Sequence, residues 1–486
     1  MSVADWYSRK GLALFTDLYE LTMIAGYWRE GRANVPACFE YFFRSLPPHA
    51  GFAVAAGLGP FLDYLENLRF EEDDLSYLRS LKLFDGDFLD FLRDFRPTCS
   101  VRAVAEGTVV FPQMPLVQVE GPILAAQLVE TALLNMLNFA TLIATKTARI
   151  CLAADGEPVL EFGLRRAHGP DGGLSGSRAA YIGGCVSTSN VLAGKVYGIP
   201  VAGTQAHSWV MSFPSELEAF RCFAHRYPER CVLLVDTYDT ILSGVPNAIT
   251  VFKELHGEGY RTRPAIRLDS GDLAKLSKIA HEMMRDAGFD DPLIVGSNDL
   301  DEDLIADLKR QGAKINAWGV GTHLITAYDC PALGGVYKLV ALCENGQWQP
   351  RIKVSANMEK ATEPGRKRVV RYYDKAGHPL GDVMYQDSES WAESGVIVGR
   401  RRSQPHLRRR LNNAARAEEL LQTVFERGRR VTDPPPINEI QQRARDQIAS
   451  LPEEFTRLRN PEIYRVILSQ ATGDLKEEML EKPELM

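Results

Sequence analysis

With 486 residues, 45% of them hydrophobic and 24% charged, the chain has the make-up of a globular protein long enough for two or three domains. Its net charge of −7 excludes a nucleic-acid binder as the default reading, because a phosphate backbone calls for a basic face. Eight cysteines (Cys38, Cys99, Cys151, Cys185, Cys222, Cys231, Cys330 and Cys343) show no CxxC pair and no zinc-type spacing, which predicts buried, reduced thiols in a cytoplasmic protein.

The first residues, MSVADWYSRKG, lack the apolar core and cleavage site of a signal peptide. A helical start precedes a strand-like block over residues 100–119, broken by Gly107 and Pro112. Residues 123–154 are the most membrane-like stretch. A spanning helix needs about 20 mostly apolar residues. Here Thr131, Asn135, Asn138 and Thr141 interrupt the run, and Glu130 and Lys146 flank it closely, so the prediction is a long core helix.

From residue 159 onward, short β-prone runs recur at 159–162, 200–202, 231–235, 264–268, 292–295, 317–320 and 336–340. Residues 273–287 and 299–311, between such runs, carry helical periodicity with charged outer faces. Repeated βα units predict a parallel sheet, open or closed into a barrel. Barrels carry their chemistry at the C-terminal ends of the strands. Those ends read Glu161/Gly163, Gly203/Thr204, Asp236, Asp269, Ser297/Asn298 and Gly319/Gly321/Thr322, which favours one shared site at a barrel mouth. Beyond residue 341 the pattern changes to a hairpin-like unit over 351–374, turning at Gly365, and then to polar helices. Arg400, Arg401 and Arg402 with Arg408, Arg409 and Arg410 read as a solvated helical face. The expected division is an N-terminal segment 1–125, a central barrel 126–340 and a C-terminal segment 341–486, the two outer segments packing together as one α+β accessory domain.

The candidate chemistry clusters on these strand ends. His207, in GTQAHSW, has the hydroxyls of Thr204 and Ser208 beside it and suits a general acid or base, or a nucleophile toward phosphorus. A lone histidine is more often a hydrogen-bonded structural residue, but its place at a strand end beside these hydroxyls favours the chemical reading. Arg165 and Arg166 follow EFG, where planar guanidinium groups suit carboxylate or phosphate. Arg267 lies inside the apolar frame of AIRLDSGDL, where an unpaired charge is expensive, so it must pair with Asp236 or Asp269 or bind an anion. Ser270, Gly271 and Asp272, then Gly296, Ser297, Asn298 and Asp299, then Gly319, Gly321 and Thr322, form small-residue turns whose amides suit phosphates. Asp236, Asp239, Asp269 and Asp272 are candidate Mg²⁺ ligands, with Asp236 and Asp269 preferred. Asp239 reads equally well as a helix cap.

TDLYELTM (16–23), EFGLRRAHGPDG, GTQAHSW, LLVDTYDT, IRLDSGDL, WGVGTHLIT and KVSANMEKATEPGRKRVVRYYD, in this order, resemble the signature blocks of the nicotinate phosphoribosyltransferase family. The C-terminal remainder carries no such block. The resemblance implies an irregular α/β barrel of the type II phosphoribosyltransferase kind with an accessory domain, in a homodimer with active sites at the subunit interface. It implies Mg²⁺-dependent transfer of phosphoribose from 5-phosphoribosyl 1-pyrophosphate to nicotinate, giving nicotinate mononucleotide and pyrophosphate for NAD salvage. It also implies ATP as co-substrate, its hydrolysis coupled through a phosphohistidine that matches His207. Tyr19 matches the aromatic near the nicotinate ring, and Phe162, Arg166, Thr204, Ser208 and Arg267 fall on the nicotinate side. Ser270, Gly271, Ser297, Asn298, Gly319, Gly321 and Thr322 fall on the phosphoribosyl side. His207, Arg267 and Asp269 are the expected catalytic set.

The stretch VLLVDTYDTILSG echoes the loop of open-sheet phosphoribosyltransferases, but its acids are separated and no Thr-Gly follows, so the open-sheet version is rejected. Nicotinamide-specific relatives carry an acid in GTDT, able to accept from a substrate amide; this chain has Gln205 in GTQA. Nicotinamide transfer, a non-catalytic nucleotide sensor, and a Schiff-base lyase using Lys338 in GGVYKLV are the competing readings.

Overall fold

Six short parallel strands organise the unit Lys146–Pro331. In chain order they are Val159–Glu161, Ser187–Thr188, Val232–Leu234, Ala265–Leu268, Leu293–Ser297 and Ala317–Val320. The last strand pairs with the first, Trp318 opposite Val159 and Val320 opposite Glu161, which curls the sheet back on itself. A parallel bridge from Thr188 to Val201 extends the ring by one position. Followed around, the strands succeed one another in chain order, and the one joint without a ladder among the described residues falls between Val201 and Val232. This is an irregular α/β barrel. Apart from Ser187–Thr188, its strands are short, mainly apolar runs because both faces are covered, the outer one by crossover helices. Leu273–Asp286 is one such helix. It buries Leu273, Ala274, Ser277, Ala280 and Met284, a stripe at helical spacing, and Asp272 caps it by accepting the Lys275 N–H at 2.9 Å. The computed structural model describes residues 12–354, 361–402 and 404–481.

The second unit, Met1–Thr145 with Ala332–Met486, draws on both ends of the chain. One of its sheets runs in the order Gln347–Pro350, Gly335–Glu344, Pro36–Phe43, Val117–Pro122, Ser100–Ala103, Gln422–Glu426 and Arg429–Arg430. The other runs Gln404–Ala414, Gly395–Arg401, Val466–Leu468, Pro379–Gln386, Lys367–Tyr373 and Arg416–Glu419, over a core that includes Val370, Tyr372, Val383, Ile397, Leu411 and Ile467.

Several expectations change here. Residues 336–340 are not a barrel strand: they lie in Gly335–Glu344, antiparallel to Pro36–Phe43, with Lys338 opposite Glu40. An apolar run of that length fits either sheet, and only its long-range partner distinguishes them. The clear hairpin joins Lys367–Tyr373 to Pro379–Gln386 and turns at residues 374–378, where the Asp374 carboxylate accepts the Ala376 and His378 N–H groups. The expected turn at Gly365 therefore does not form it, and residues 355 and 356 of its expected first arm lie outside the described residues. The arginine-rich stretch is strand, not helix: Arg400 pairs with Arg408 and Val398 with Arg410 in an antiparallel ladder. Its Val396-Ile397-Val398 core favours β structure over the helical reading of the charges. The stretch 123–154 is two helices, Ile123–Leu128 and Glu130–Ala154. No helix among the described residues is long and apolar enough to cross a membrane.

A buried ion pair anchors the second sheet. Arg371, 2% exposed, makes two parallel 2.8 Å bonds to Asp382, fully buried on the neighbouring strand, and a third to the Val109 carbonyl. The Tyr464 hydroxyl adds a bond to the same carboxylate at 3.1 Å. Removing one member leaves the other charge stranded in the core. Asp382→Ala is expected to cost about 3–5 kcal/mol in urea unfolding, with much of the loss recovered in Arg371→Met/Asp382→Leu. A single-variant cost below about 1 kcal/mol would show that the pair is not an anchor.

Candidate active site

Two cavities open at the C-terminal ends of the barrel strands, of about 190 and 240 Å³. Phe162, Arg165 and Arg267 line both. The first continues over Arg166, Asp269, Ser297, Asn298, Asp299, Gly319, Gly321 and Thr322. The second continues over Ser189, Gly203, Thr204, Gln205 and Ala206. The strand order explains the grouping: pairing of Ala317–Val320 with Val159–Glu161 sets Phe162 beside Gly319, where a Cβ would stand 2.7 Å from the Phe162 ring. Only glycine leaves that ring in place.

Glu161 holds the arginine turn. Its carboxylate is fully buried and accepts from the Gly163 N–H, the Ser177 hydroxyl at 2.9 Å and the Thr188 hydroxyl. Gly163 opens the 3₁₀ turn Leu164–Arg166, so the exposed guanidinium groups of Arg165 and Arg166 rise from a pinned base. Arg267 comes from the strand Ala265–Leu268. Its Nη2 donates to the Gln205 carbonyl at 3.3 Å, while Nε is buried with no partner among the described residues. Burial pushes this guanidinium below its usual pKa, and Asp269 and Asp236 act in the opposite direction without reaching ion-pair distance among the described residues. Of the two sequence alternatives for Arg267, an ion pair with Asp236 or Asp269 does not form among the described residues.

Asp236 and Asp269 are joined. Asp236 Oδ2 accepts the Asp269 N–H at 2.8 Å and the Ser270 hydroxyl at 2.7 Å, and its Oδ1 is buried and unpartnered among the described residues. Asp269 Oδ1 accepts from the Ser297 hydroxyl, and Oδ2 lies 3.8 Å from His207 Nε2. His207 opens the helix His207–Met211, and its Nδ1 sits 3.1 Å from the Thr237 hydroxyl. A carboxylate thus faces one ring nitrogen and a hydroxyl the other. The described residues contain no cluster of three or more His, Cys, Asp or Glu able to cage a metal. Mg²⁺ does not require one, because it is commonly held by one or two carboxylates with water and substrate phosphates. The free Asp236 oxygen and Asp269 fit that pattern.

Not every expected residue reaches the cavities. Ser208 is exposed and lines neither; Ser270 meets Asp236, and Gly271 sits in the turn beyond it. Asp239 and Asp272 are helix caps, accepting from Ile241 and Leu242 and from Lys275 respectively. Tyr19 belongs to the other unit, on the helix Leu18–Arg29, 47% exposed. Lys338 also belongs there, on an antiparallel strand and not on a barrel strand, so the lyase reading loses its barrel lysine. Sequence reasoning missed Ser189, and it saw Glu161 only as a strand end. Ser189 follows a two-residue strand too short for a periodic signal.

Models of the nicotinate phosphoribosyltransferase N-terminal domain, family and C-terminal domain match residues 14–138, 158–375 and 366–476. The chain belongs to the nicotinate phosphoribosyltransferase family. The last of these matches covers much of the C-terminal stretch in which no signature block is legible. Nicotinate phosphoribosyltransferase of Bacillus subtilis is 47% identical over 461 residues, spanning 94% of this chain and 93% of that protein. The Homo sapiens protein of the same name is 38% identical, with 94% of each chain covered. The crystal structure of human nicotinic acid phosphoribosyltransferase superposes with a TM-score of 0.85 at 35% identity, over 96% of this chain and 99% of that one. A nicotinate-nucleotide pyrophosphorylase structure from Pyrococcus furiosus, at 24% identity and a TM-score of 0.67, shares the fold.

Glu161→Gln tests the pinned turn. An amide presents one acceptor oxygen where the carboxylate serves three donors, so a buried donor is left unpaired at a cost of about 1–3 kcal/mol. Thermal or urea unfolding is expected to show that loss together with reduced transferase activity; wild-type values in both would remove Glu161 from the site.

Proposed function

We propose that this chain transfers phosphoribose from 5-phosphoribosyl 1-pyrophosphate to nicotinate, giving nicotinate mononucleotide and pyrophosphate. Arg267 carries the reading: it is a wall of both cavities, largely buried, and without an ion-pair partner among the described residues. The first cavity, with its polar turns at 297–299 and 319–322, suits the phosphoribosyl donor. The second suits a flat aromatic acid, with Phe162 for the ring and Arg165, Arg267, Thr204 and Gln205 for the carboxylate. Both amide atoms of Gln205 are buried and unpartnered among the described residues. Two arginines and no acid among this wall favour nicotinate over nicotinamide, whose NH₂ needs an acceptor.

In the reaction the pyridine nitrogen donates its lone pair to ribose C1 as the C1–oxygen bond breaks, and the bonding pair leaves with pyrophosphate. Positive charge builds on the ribose and negative charge on the leaving group, so the protein's part is alignment and electrostatic stabilisation. Arg267 and Arg165 hold the two anionic partners at the junction of the cavities. Asp236 and Asp269 would hold Mg²⁺, which when bound neutralises charge on the departing pyrophosphate. ATP enters through His207: a ring nitrogen takes the γ-phosphoryl group, ADP leaves, and water later releases phosphate. The contact with Asp269, itself bonded to Ser297, supports a link between His207 and the donor cavity. A cytoplasmic homodimer with shared active sites, and Tyr19 against the nicotinate ring, complete the reading; they rest on the family resemblance.

Product identification by mass spectrometry, offering nicotinate, nicotinamide or quinolinate with the donor and Mg²⁺, is expected to give nicotinate mononucleotide from nicotinate and more of it with ATP. Product from nicotinamide would overturn the Gln205 argument, and no product with any base would favour the nucleotide sensor. His207→Ala is expected to keep a basal transfer rate and lose its stimulation by ATP; full ATP stimulation in that variant would reject the phosphohistidine.

A further inference from the structure

The two turns on the donor side are tied together by residues that line neither cavity. The turn at residues 297–299 runs through Asp301 into the helix Glu302–Arg310, and the turn at 319–322 runs directly into His323. Asp301 uses both oxygens. Its Oδ1 accepts the Leu304 N–H at 2.8 Å and caps the helix, and its Oδ2 lies 3.1 Å from His323 Nδ1. The His323 ring is fixed in turn by stacking on Tyr328, 4.5 Å between centroids at 14°. The first turn has an unusual backbone: Asn298 and Asp299 hold φ values of +84° and +40°, a left-handed region that few residues besides glycine, asparagine and aspartate adopt.

We propose that Asp301 and His323 are a positioning pair that sets the spacing of the two turns across the first cavity, and with it the affinity for the phosphate groups of the phosphoribosyl donor. The inference rests on the transferase reading of that cavity. Donors on two separate turns act on one ligand only if their separation is held, and small misplacements are costly. The hydrogen bond from imidazole to carboxylate is the direct side-chain link between the segments that follow the two turns. A helix cap alone would affect stability and leave donor affinity untouched.

The test uses the full chain, with His323→Ala, His323→Asn and Asp301→Ser. Alanine removes the link, whereas asparagine can return an N–H near the Nδ1 position. Serine still caps the helix but is too short to reach His323. The expected result is a KM for the donor raised about tenfold in His323→Ala and Asp301→Ser and largely restored in His323→Asn. The KM for nicotinate and kcat should stay within about twofold. A lower melting temperature with an unchanged donor KM in both link-breaking variants would overturn the pair's role. Calorimetric titration with inorganic pyrophosphate separates this from failure of the transferase reading. A protein inactive on nicotinate that still loses about tenfold in pyrophosphate affinity in these variants keeps the pair and discards the reaction, and equal affinity discards the pair.

Discussion

The pairing of the last barrel strand with the first creates the site. Residues 159–161 and 318–320 are far apart in the chain, and their three-residue register brings EFG against GVG. The Phe162 N–H donates to the Val320 carbonyl at 2.8 Å, and the absent side chain of Gly319 leaves room for the Phe162 ring. Gly163 is needed for the same reason, since a Cβ there would lie 2.5 Å from Ile325. Without this joint, the arginine turn and the 319–322 turn would have no reason to share a cavity. The parallel ladder thus does for the site what no local motif can: it makes one wall from two ends of a domain.

The electrostatic arrangement follows from what that wall must receive. Three carboxylates of the mouth are engaged: Glu161 by three donors, Asp269 by Ser297, and Asp236 by the backbone and Ser270 through one of its oxygens. Arg267 is the exception, mostly buried with only a carbonyl for company. A buried charge in this state lowers stability, and a fold tolerates it where an anionic ligand offsets the cost. One oxygen of Asp236 and the two side-chain amide atoms of Gln205 belong to the same class, buried polar groups without a partner among the described residues. Such groups are uncommon in protein cores, and two of the residues that carry them, Gln205 and Arg267, line the second cavity.

Much of the barrel was legible because its strands end abruptly in chemistry. Runs at 159–162, 231–235, 264–268, 292–295 and 317–320 each contain an observed strand or most of one. Arg267 stood out for a related reason, a charge inside an apolar frame. What stayed hidden depends on distant partners. Ser187–Thr188 is too short and too polar to register as a strand until Leu160 and Glu161 pair with it. Residues 336–340 have the composition of a barrel strand and join the other unit because Pro36–Phe43 takes them. The arginine run becomes strand because Gly395–Arg401 and Gln404–Ala414 pair, and Arg400 is then neutralised by Asp474 and Glu477. Glu161 looked like one acid among many, since its three donors come from residues 163, 177 and 188 and no spacing announces them.

Acids at the mouth divide into two roles, and the division has a local cause. Asp239, Asp272 and Asp301 each accept a backbone N–H three residues on, from Leu242, Lys275 and Leu304. In each case a helix begins just after the aspartate, so the nearest unsatisfied donors are its own, and they take the side chain. Asp269 directly follows its strand and Asp236 lies just past Val235 beyond its own, each several residues before the next helix, so the helix's first donors do not take these side chains. Their oxygens turn instead across the mouth, to a neighbouring strand's amide and to side chains. The position of an aspartate within the link between strand end and helix start therefore decides whether it caps the helix or turns across the mouth. Asp301 caps its helix and also bonds beyond it, because its second oxygen reaches His323 from the capping position.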